Sequence, residues 1–414
     1  MNAARSPAGW WLSGLLLAVP LLLPFSRAAE LPVLLGALAG VWLGVRHRGA
    51  WLQSQPARTL LLALSAYTLA ALLSAPDAVA PDKTWATAAA ALRLLAFGLG
   101  VLGLLDLALA AGIAPAVLAQ RLVWVAALPL ALWVIDALVQ GATGWSLGGG
   151  LDADRLSGIF GADDLKLGPL LPALSPLLLW PLLGARRWLL ALAWIAVLVV
   201  VLLAGSRAGW VSYGWVSALL AWRLARGSRQ VFAGWLAAAL LCGAVAGGVG
   251  YQVSEQFRAR VDRTLAFGEG QADVALAGRV PIWRTATRMA LAHPVNGVGV
   301  RGFRHAYPAY AAPGDPWVDP VAGTGAAHAH QVFLELLTET GAVGLLLWLA
   351  AAWVLWRQSR KGAADPATQA PWIALGALVF PLNTHLAFYS SFMGLVLAWL
   401  VALACAQSRL REAA

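Results

Sequence analysis

The chain has 414 residues, of which 60% are hydrophobic and 12% charged, and its mean hydropathy is +0.73. That composition excludes a water-soluble domain of this size, and the lack of short alternating segments argues against a membrane β-barrel. The formal net charge is +10; basic residues gathered between apolar runs account for much of it, so it does not call for nucleic acid as a partner.

Apolar runs of about 17–25 residues recur, each long enough to cross a bilayer as a helix. Backbone polar groups in hydrocarbon must pair within their own segment, which makes the spans helical. About twelve are expected, near 8–25, 29–45, 57–74, 85–105, 116–139, 167–183, 188–204, 209–222, 231–251, 338–356, 371–388 and 392–408. The first reads as a membrane helix and not as a signal peptide, because no small-x-small cleavage pattern follows and many further spans do. Cys242 and Cys405 lie inside apolar runs and provide neither a disulfide framework nor metal spacing. Several of the 22 Trp residues sit at the ends of runs, as an interfacial belt would.

Clusters of arginine and lysine set the expected orientation. Arg46/Arg48/Arg58, Arg186/Arg187, Arg223/Arg226/Arg229, Arg357/Arg360/Lys361 and Arg409/Arg411 fall on alternate linkers and are assigned to the cytoplasm, with both termini. Three parts follow: helices 1–9 in 1–251, a long loop domain on the side opposite the cytoplasm in 252–329, and a site helix with the last three spans in 330–414.

The long loop holds eight arginines against six acids. Within it Arg279 to Leu291 reads as an amphipathic helix, with Ile282, Trp283, Ala286 and Ala290 on one side and Arg284 and Arg288 on another. His293-Pro294 ends it, and Asn296-Gly-Val-Gly299 reads as a turn.

The loop ends at His328 and His330, two of the six histidines. Imidazole suits proton transfer near neutrality. On a helix, positions two apart face nearly opposite ways, so one of the two is expected to serve a given site. The preferred reading starts a helix at His330 and makes it a general base kept neutral by the helix N-terminus. In an extended segment both face one side and a metal pair becomes an alternative, with Glu335, His305 or His385 as third ligand. Glu335 and Glu339 share a helix face and read most simply as polar residues on its wet part. Arg207, in Gly205-Ser-Arg-Ala-Gly209, lies between two spans and either snorkels or binds an anion, the glycines then allowing close approach of a bulky ligand. Arg279 is a second anion candidate, since its planar fork pairs with phosphate oxygens; Arg155 and Arg288 are weaker ones. The sequence has no P-loop, nucleotide fingerprint or Asp-rich metal motif.

At these residues the sequence resembles the O-antigen ligase family, within the superfamily that includes O-antigen polymerases. The matching pieces are Gly205-Ser-Arg-Ala-Gly, Gly278-Arg-Val-Pro-Ile-Trp283, His293-Pro-Val-Asn-Gly-Val-Gly299 and His330-Gln-Val-Phe-Leu-Glu-Leu-Leu-Thr-Glu-Thr-Gly341. Family members often carry Asn where this chain has Gln331. The resemblance implies an inner-membrane glycosyltransferase of the C-type architecture with one long periplasmic loop, working without metal, nucleotide sugar or cofactor. It implies a glycan on undecaprenyl pyrophosphate as donor and lipid A–core as acceptor, both within the membrane lipids. The family's catalytic histidine falls on His330 and its functional arginines on Arg207 and Arg279; His328, Arg155 and Arg288 stay secondary. An O-antigen polymerase shares the donor, and a lipid or polysaccharide transporter is the rival from another class.

Overall fold

The computed structural model describes residues 6–47, 49–150, 155–162, 164–265, 273, 276–361, 365–381 and 386–414. Regular structure among them is helical, apart from a hairpin of Trp145–Ser146 with Gly149–Gly150 and a bridge between Asp319 and Thr324. The helices are α1 (Pro7–Leu22), α2 (Glu30–His47), α3 (Gln55–Leu73), α4 (Pro81–Ala110), α5 (Pro115–Thr143), α6 (Leu167–Leu174), α7 (Pro176–Leu179) and α8 (Arg187–Leu203). They continue as α9 (Arg207–Ala225), α10 (Arg229–Val253), α11 (Glu255–Leu265), α12 (Arg279–Ala292), α13 (Phe303–Tyr310), α14 (Val332–Arg360), α15 (Pro366–Leu378) and α16 (Ser391–Ala413).

The protein is therefore an all-helical, multi-pass membrane protein. Seven described helices are long and apolar enough to cross a membrane, or up to eight if Leu167–Leu174 and Pro176–Gly184, bent by 40°, form one span. That measure does not reach the expected twelve, although the expected runs fall largely on helices. The shortfall has local causes. α1 and α8 have 16 and 17 residues, short of the roughly 20 that cross the hydrocarbon core untilted. α9 is diluted by Arg207 and Arg223. α15 stops at Leu378 after 13 residues, and His385, with the rest of 382–385, lies outside the described residues.

Two compact units form: 1–125, 278–372 and 386–414 in one, 126–277 and 373–385 in the other. The long loop is thus divided between them at Gly278.

In the first unit α2 and α4 meet backbone to backbone. Gly36 and Gly40 face Ala96 and Gly100, the same interval of four on each helix. A Cβ on Gly40 would run into the Ala96 carbonyl, and one on Gly100 into the Gly36 carbonyl. Between apolar helices in lipid, such small-residue crossings supply the close packing that water would otherwise drive. α16 is the buried helix of this unit: 89% of its most apolar window is buried. Trp399 Nε1 donates to the Leu16 carbonyl at 2.9 Å, and Arg409 pairs with Asp106 at 3.1 Å. The part of the long loop in this unit has its own core of Ile282, Ala286 and Met289 on α12, Phe303 and Tyr307 on α13, and Ala329. The amphipathic helix thus exists as expected, its buried face completed by Thr285 and Met289, with Trp283 only half-buried. α13 was not expected.

In the second unit Gln140, fully buried near the end of α5, organises the hairpin that follows. Its Oε1 accepts from the Ser157 and Gly158 amides at 3.0 and 2.7 Å. The Leu156 amide then donates to the Leu203 carbonyl at 3.3 Å, which brings the chain after Arg155 to the end of α8. None of the residues of α10 is buried, as suits an apolar helix with lipid around it.

Gly40→Ile is expected to lower stability by about 1–3 kcal/mol or more through overpacking. Gly44→Ile, at a helical glycine with open space around its Cβ direction, is the control. Melting curves of the detergent-purified variants check this; equal melting would overturn the packing argument.

Candidate functional site

The site end of the first unit is built around a break in α14. Gly341 has φ 64° and ψ −167°, so Val332–Arg360 is two helical pieces joined at this residue. The break frees backbone groups, and the loop after α12 supplies their partners. The Ala342 and Val343 amides donate to the Pro294 and Val295 carbonyls at 2.8 and 3.1 Å, and the Val298 amide donates to the Thr338 carbonyl at 2.8 Å. The approach is so close that Cβ atoms on Gly341 and Gly297 would strike the opposing backbone. The same loop docks on the turn between α3 and α4: the Val79 amide donates to Val298 O at 2.9 Å, and Asn296 Nδ2 to Asp77 Oδ2 at 2.9 Å. The glycines of His293-Pro-Val-Asn-Gly-Val-Gly299 are therefore packing requirements.

This frame holds the two histidines. The helix begins at Val332, and Gln331 is its N-cap, with Oε1 accepting from the Leu334 amide at 2.6 Å. His330 thus does not start the helix, a correction to the expectation; it precedes the cap in left-handed backbone, φ 53°. Both histidines precede the helix, so the expectation that they face opposite ways does not hold. Their rings lie 3.8 Å apart between centroids, tilted by 44°. His328 is buried, and His330 is half-buried. The His330 amide donates to His328 Nδ1 at 3.2 Å, and the same Nδ1 lies 3.2 Å from Glu335 Oε2.

Glu335 and Glu339 are not on a wet face; each is only 2% exposed. α14 turns them inward against the chain before α16, where the Phe388 amide donates to Glu335 Oε1 at 2.6 Å. The Phe303 amide donates to Glu339 Oε1 at 3.4 Å. Tyr67 and Tyr389 stack beside them at 4.5 Å, each hydroxyl bonded to backbone. A side chain at i and its i+4 neighbour share a helix face, which explains why both acids enter the same buried region.

α12 lies against the histidine segment, since Trp283 Nε1 donates to the Ala329 carbonyl at 3.1 Å. Arg279 is one turn before Trp283 on the same face and is half-buried. Arg288 turns back along its helix to Thr285 Oγ1 at 3.1 Å and is exposed. His305 is exposed as well, and burial with the nearby charges of Arg304, Lys83 and Arg301 lowers its pKa. Among the described residues no group of three or more His, Cys, Asp or Glu is placed to hold a metal ion.

The second unit gathers arginines at the start of α9. Ser206 caps this helix, its Oγ accepting from the Gly209 amide at 3.2 Å, and Arg207 is the first helical residue. Burial, then the like charges of Arg263 and Arg155, lower the Arg207 guanidinium below its ordinary value. A fourth arginine, Arg260 of α11, is 7% exposed and occupies the space a side chain on Gly205 would need. Gly209 meets the Gly168 carbonyl of α6. The two glycines of Gly205-Ser-Arg-Ala-Gly209 therefore make room for protein, which corrects the expectation that they make room for a ligand.

Sequence reasoning left Glu335 and Glu339 unassigned and passed over Arg260 and Arg301. The i, i+4 spacing of the acids was a visible signal; the folding of α11 onto the Gly205 turn had none. Gln331→Ala, which deletes the cap, is expected to lower stability by about 1 kcal/mol, while Gln331→Asn keeps it. Thermal melting checks this, and an unaltered midpoint in the Ala variant would contradict the capping role.

Residues 190–349 match the family model described as O-Antigen ligase. No curated protein matches the chain. The matched segment contains Arg207, Arg279, both site histidines and the Gly341 break, and over it the chain is similar to the O-antigen ligase family.

Proposed function

We propose that this protein transfers a glycan from undecaprenyl pyrophosphate to a sugar hydroxyl of lipid A–core, at the periplasmic face of the bacterial inner membrane. The observation that carries the reading is the histidine pair backed by a buried carboxylate within the family segment.

His330, the more exposed imidazole, takes the proton of the acceptor hydroxyl. The acceptor oxygen bonds to the anomeric carbon as the bond from that carbon to the pyrophosphate oxygen breaks, and the lipid diphosphate leaves. One displacement without a covalent intermediate inverts the anomeric centre. His328, held by Glu335, orients the pair. Within the first unit Arg279 binds the leaving diphosphate, with Arg288 the weakest contributor; within the second, Arg207 is an anion site to which Arg155 adds charge. No metal, nucleotide sugar or other cofactor takes part. Both chain termini lie in the cytoplasm, in a C-type arrangement of spans.

His330 sits just before a capped helix whose free N–H groups disfavour a cation nearby. A neutral imidazole is the form able to accept a proton, so its position suits a base better than an acid.

His330→Ala is expected to cut transfer by roughly 10²–10⁴-fold while the protein still inserts, read with purified protein, lipid-linked donor and rough lipopolysaccharide. Arg207→Lys and Arg279→Lys, which keep charge but lose the fork, are each expected to cost about 10- to 100-fold, the worth of a charge-assisted hydrogen bond. Chelators should leave the rate unchanged. Near-wild-type transfer by His330→Ala would refute the base. A deletion strain separates the polymerase: loss of a ligase accumulates long lipid-linked polymer, loss of a polymerase single repeats.

A further inference from the structure

The far end of α14 carries a second constellation. A cavity of about 250 Å³ opens where α14 ends beside the first turn of α3. Arg58 comes from α3, and Arg357 and Lys361 from the end of α14. Arg357 lies sixteen residues beyond Gly341, about 24 Å along a helix. The cavity is thus across the membrane span from the histidines.

Three observations indicate that it is built for a ligand. First, not all the charges are explained by the helices that carry them. Cations at the end of α14 complement its dipole, but Arg58 lies in the first turn of α3, where the dipole opposes a cation and favours an anion. None of the three cations joins an ion pair formed among the described residues. The carboxylate next in sequence, Asp365, turns instead to the Thr368 amide and hydroxyl, at 3.0 and 2.6 Å.

Second, the cavity contains an unanswered acceptor. Gln358 lines it, is 3% exposed, and its Oε1 has no hydrogen-bond partner. A buried amide oxygen left so costs about 1–3 kcal/mol. A phosphodiester by itself offers cations their counter-charge but gives this oxygen no donor. A hydroxyl beside the phosphate gives both.

Third, the wall is apolar on the side that faces the middle of the span. Leu62 and Trp353 line it, and both are exposed. Trp353 and Trp356 pack at 4.8 Å, and Arg360 lies over the Trp356 ring at 5.1 Å. Tryptophan with arginine in this pattern marks the headgroup level of a bilayer. A ligand with charge at one end and hydrocarbon at the other matches that order, and basic pockets between membrane helices take lipid headgroups.

We propose that this pocket binds an anionic phosphoglycerol lipid in the leaflet opposite the histidines. Its phosphate lies among Arg58, Arg357 and Lys361, and its glycerol hydroxyl donates to Gln358 Oε1. The pocket is separate from the transfer chemistry, so its occupancy is measurable whatever the glycan substrate proves to be.

The test is the melting temperature of the full chain in nanodiscs and detergent. Phosphatidylglycerol is expected to raise it by several degrees over phosphatidylcholine, with phosphatidic acid, which lacks the glycerol headgroup, in between. Soluble glycerol phosphate and inorganic phosphate at millimolar concentration should give no rise. In R58Q/R357Q/K361Q the phosphatidylglycerol increment should fall by at least half, and in Gln358→Leu the preference over phosphatidic acid should vanish. If the triple variant does not fold, R357Q alone is read the same way. An unchanged increment in these variants would overturn the proposal, as would an equal rise from a soluble phosphate.

Discussion

The hydrogen bonds across the break at Gly341 hold the site end of the first unit together. A helix interrupted next to a membrane leaves amides and carbonyls that no lipid can satisfy. Here the Pro294 and Val295 carbonyls and the Val298 amide meet them. One strap of chain thereby fixes α12 to α14 and the turn between α3 and α4 to both. The geometry tolerates no side chain at Gly297 or Gly341, where an added Cβ would enter backbone. Glycine at these positions belongs to the frame, and the frame positions the imidazoles.

A pair of histidines gains something that one histidine lacks. His328 Nδ1 has two neighbours, an amide that can only donate and a carboxylate oxygen. One ring nitrogen cannot accept from the first while donating to the second. Either Nδ1 accepts from the amide with the shared proton on Glu335, or it carries the proton and donates to Glu335, so the proton's place is decided between His328 and Glu335. The ring of His330, 3.8 Å from that of His328, responds to the outcome, because charge on one imidazole opposes charge on the other. On the proposed chemistry Glu335 thus acts through His328 on His330 without touching the acceptor.

The helical, membrane-bound character was legible because apolar runs of bilayer length admit one backbone solution. The amphipathic helix at Arg279 was legible for the same kind of reason: Ile282, Ala286 and Ala290 repeat at helical spacing. What was not legible depends on contacts distant in sequence. Nothing local reports that Phe388 supplies an amide to Glu335, 53 residues away, so two acids on a mostly polar turn looked wet. The seven or eight described helices long and apolar enough to span fall short of the expected twelve where prolines and arginines shorten or dilute α6, α9 and α15. The start of the site helix was misplaced by two residues because glutamine is an uncommon cap, while the family's asparagine at that position is a favoured one.

The arginines follow a different logic from the carboxylates. Arg155 and Arg263 bear on Arg207, and their charges oppose its own. Like charges held together raise the energy of the empty site, and a multiply charged anion relieves that repulsion. A diphosphate leaving group gains charge as its glycosidic bond breaks. The relief on the proposed chemistry is then larger at the transition state than in the bound donor, and only such differential stabilisation speeds the chemical step.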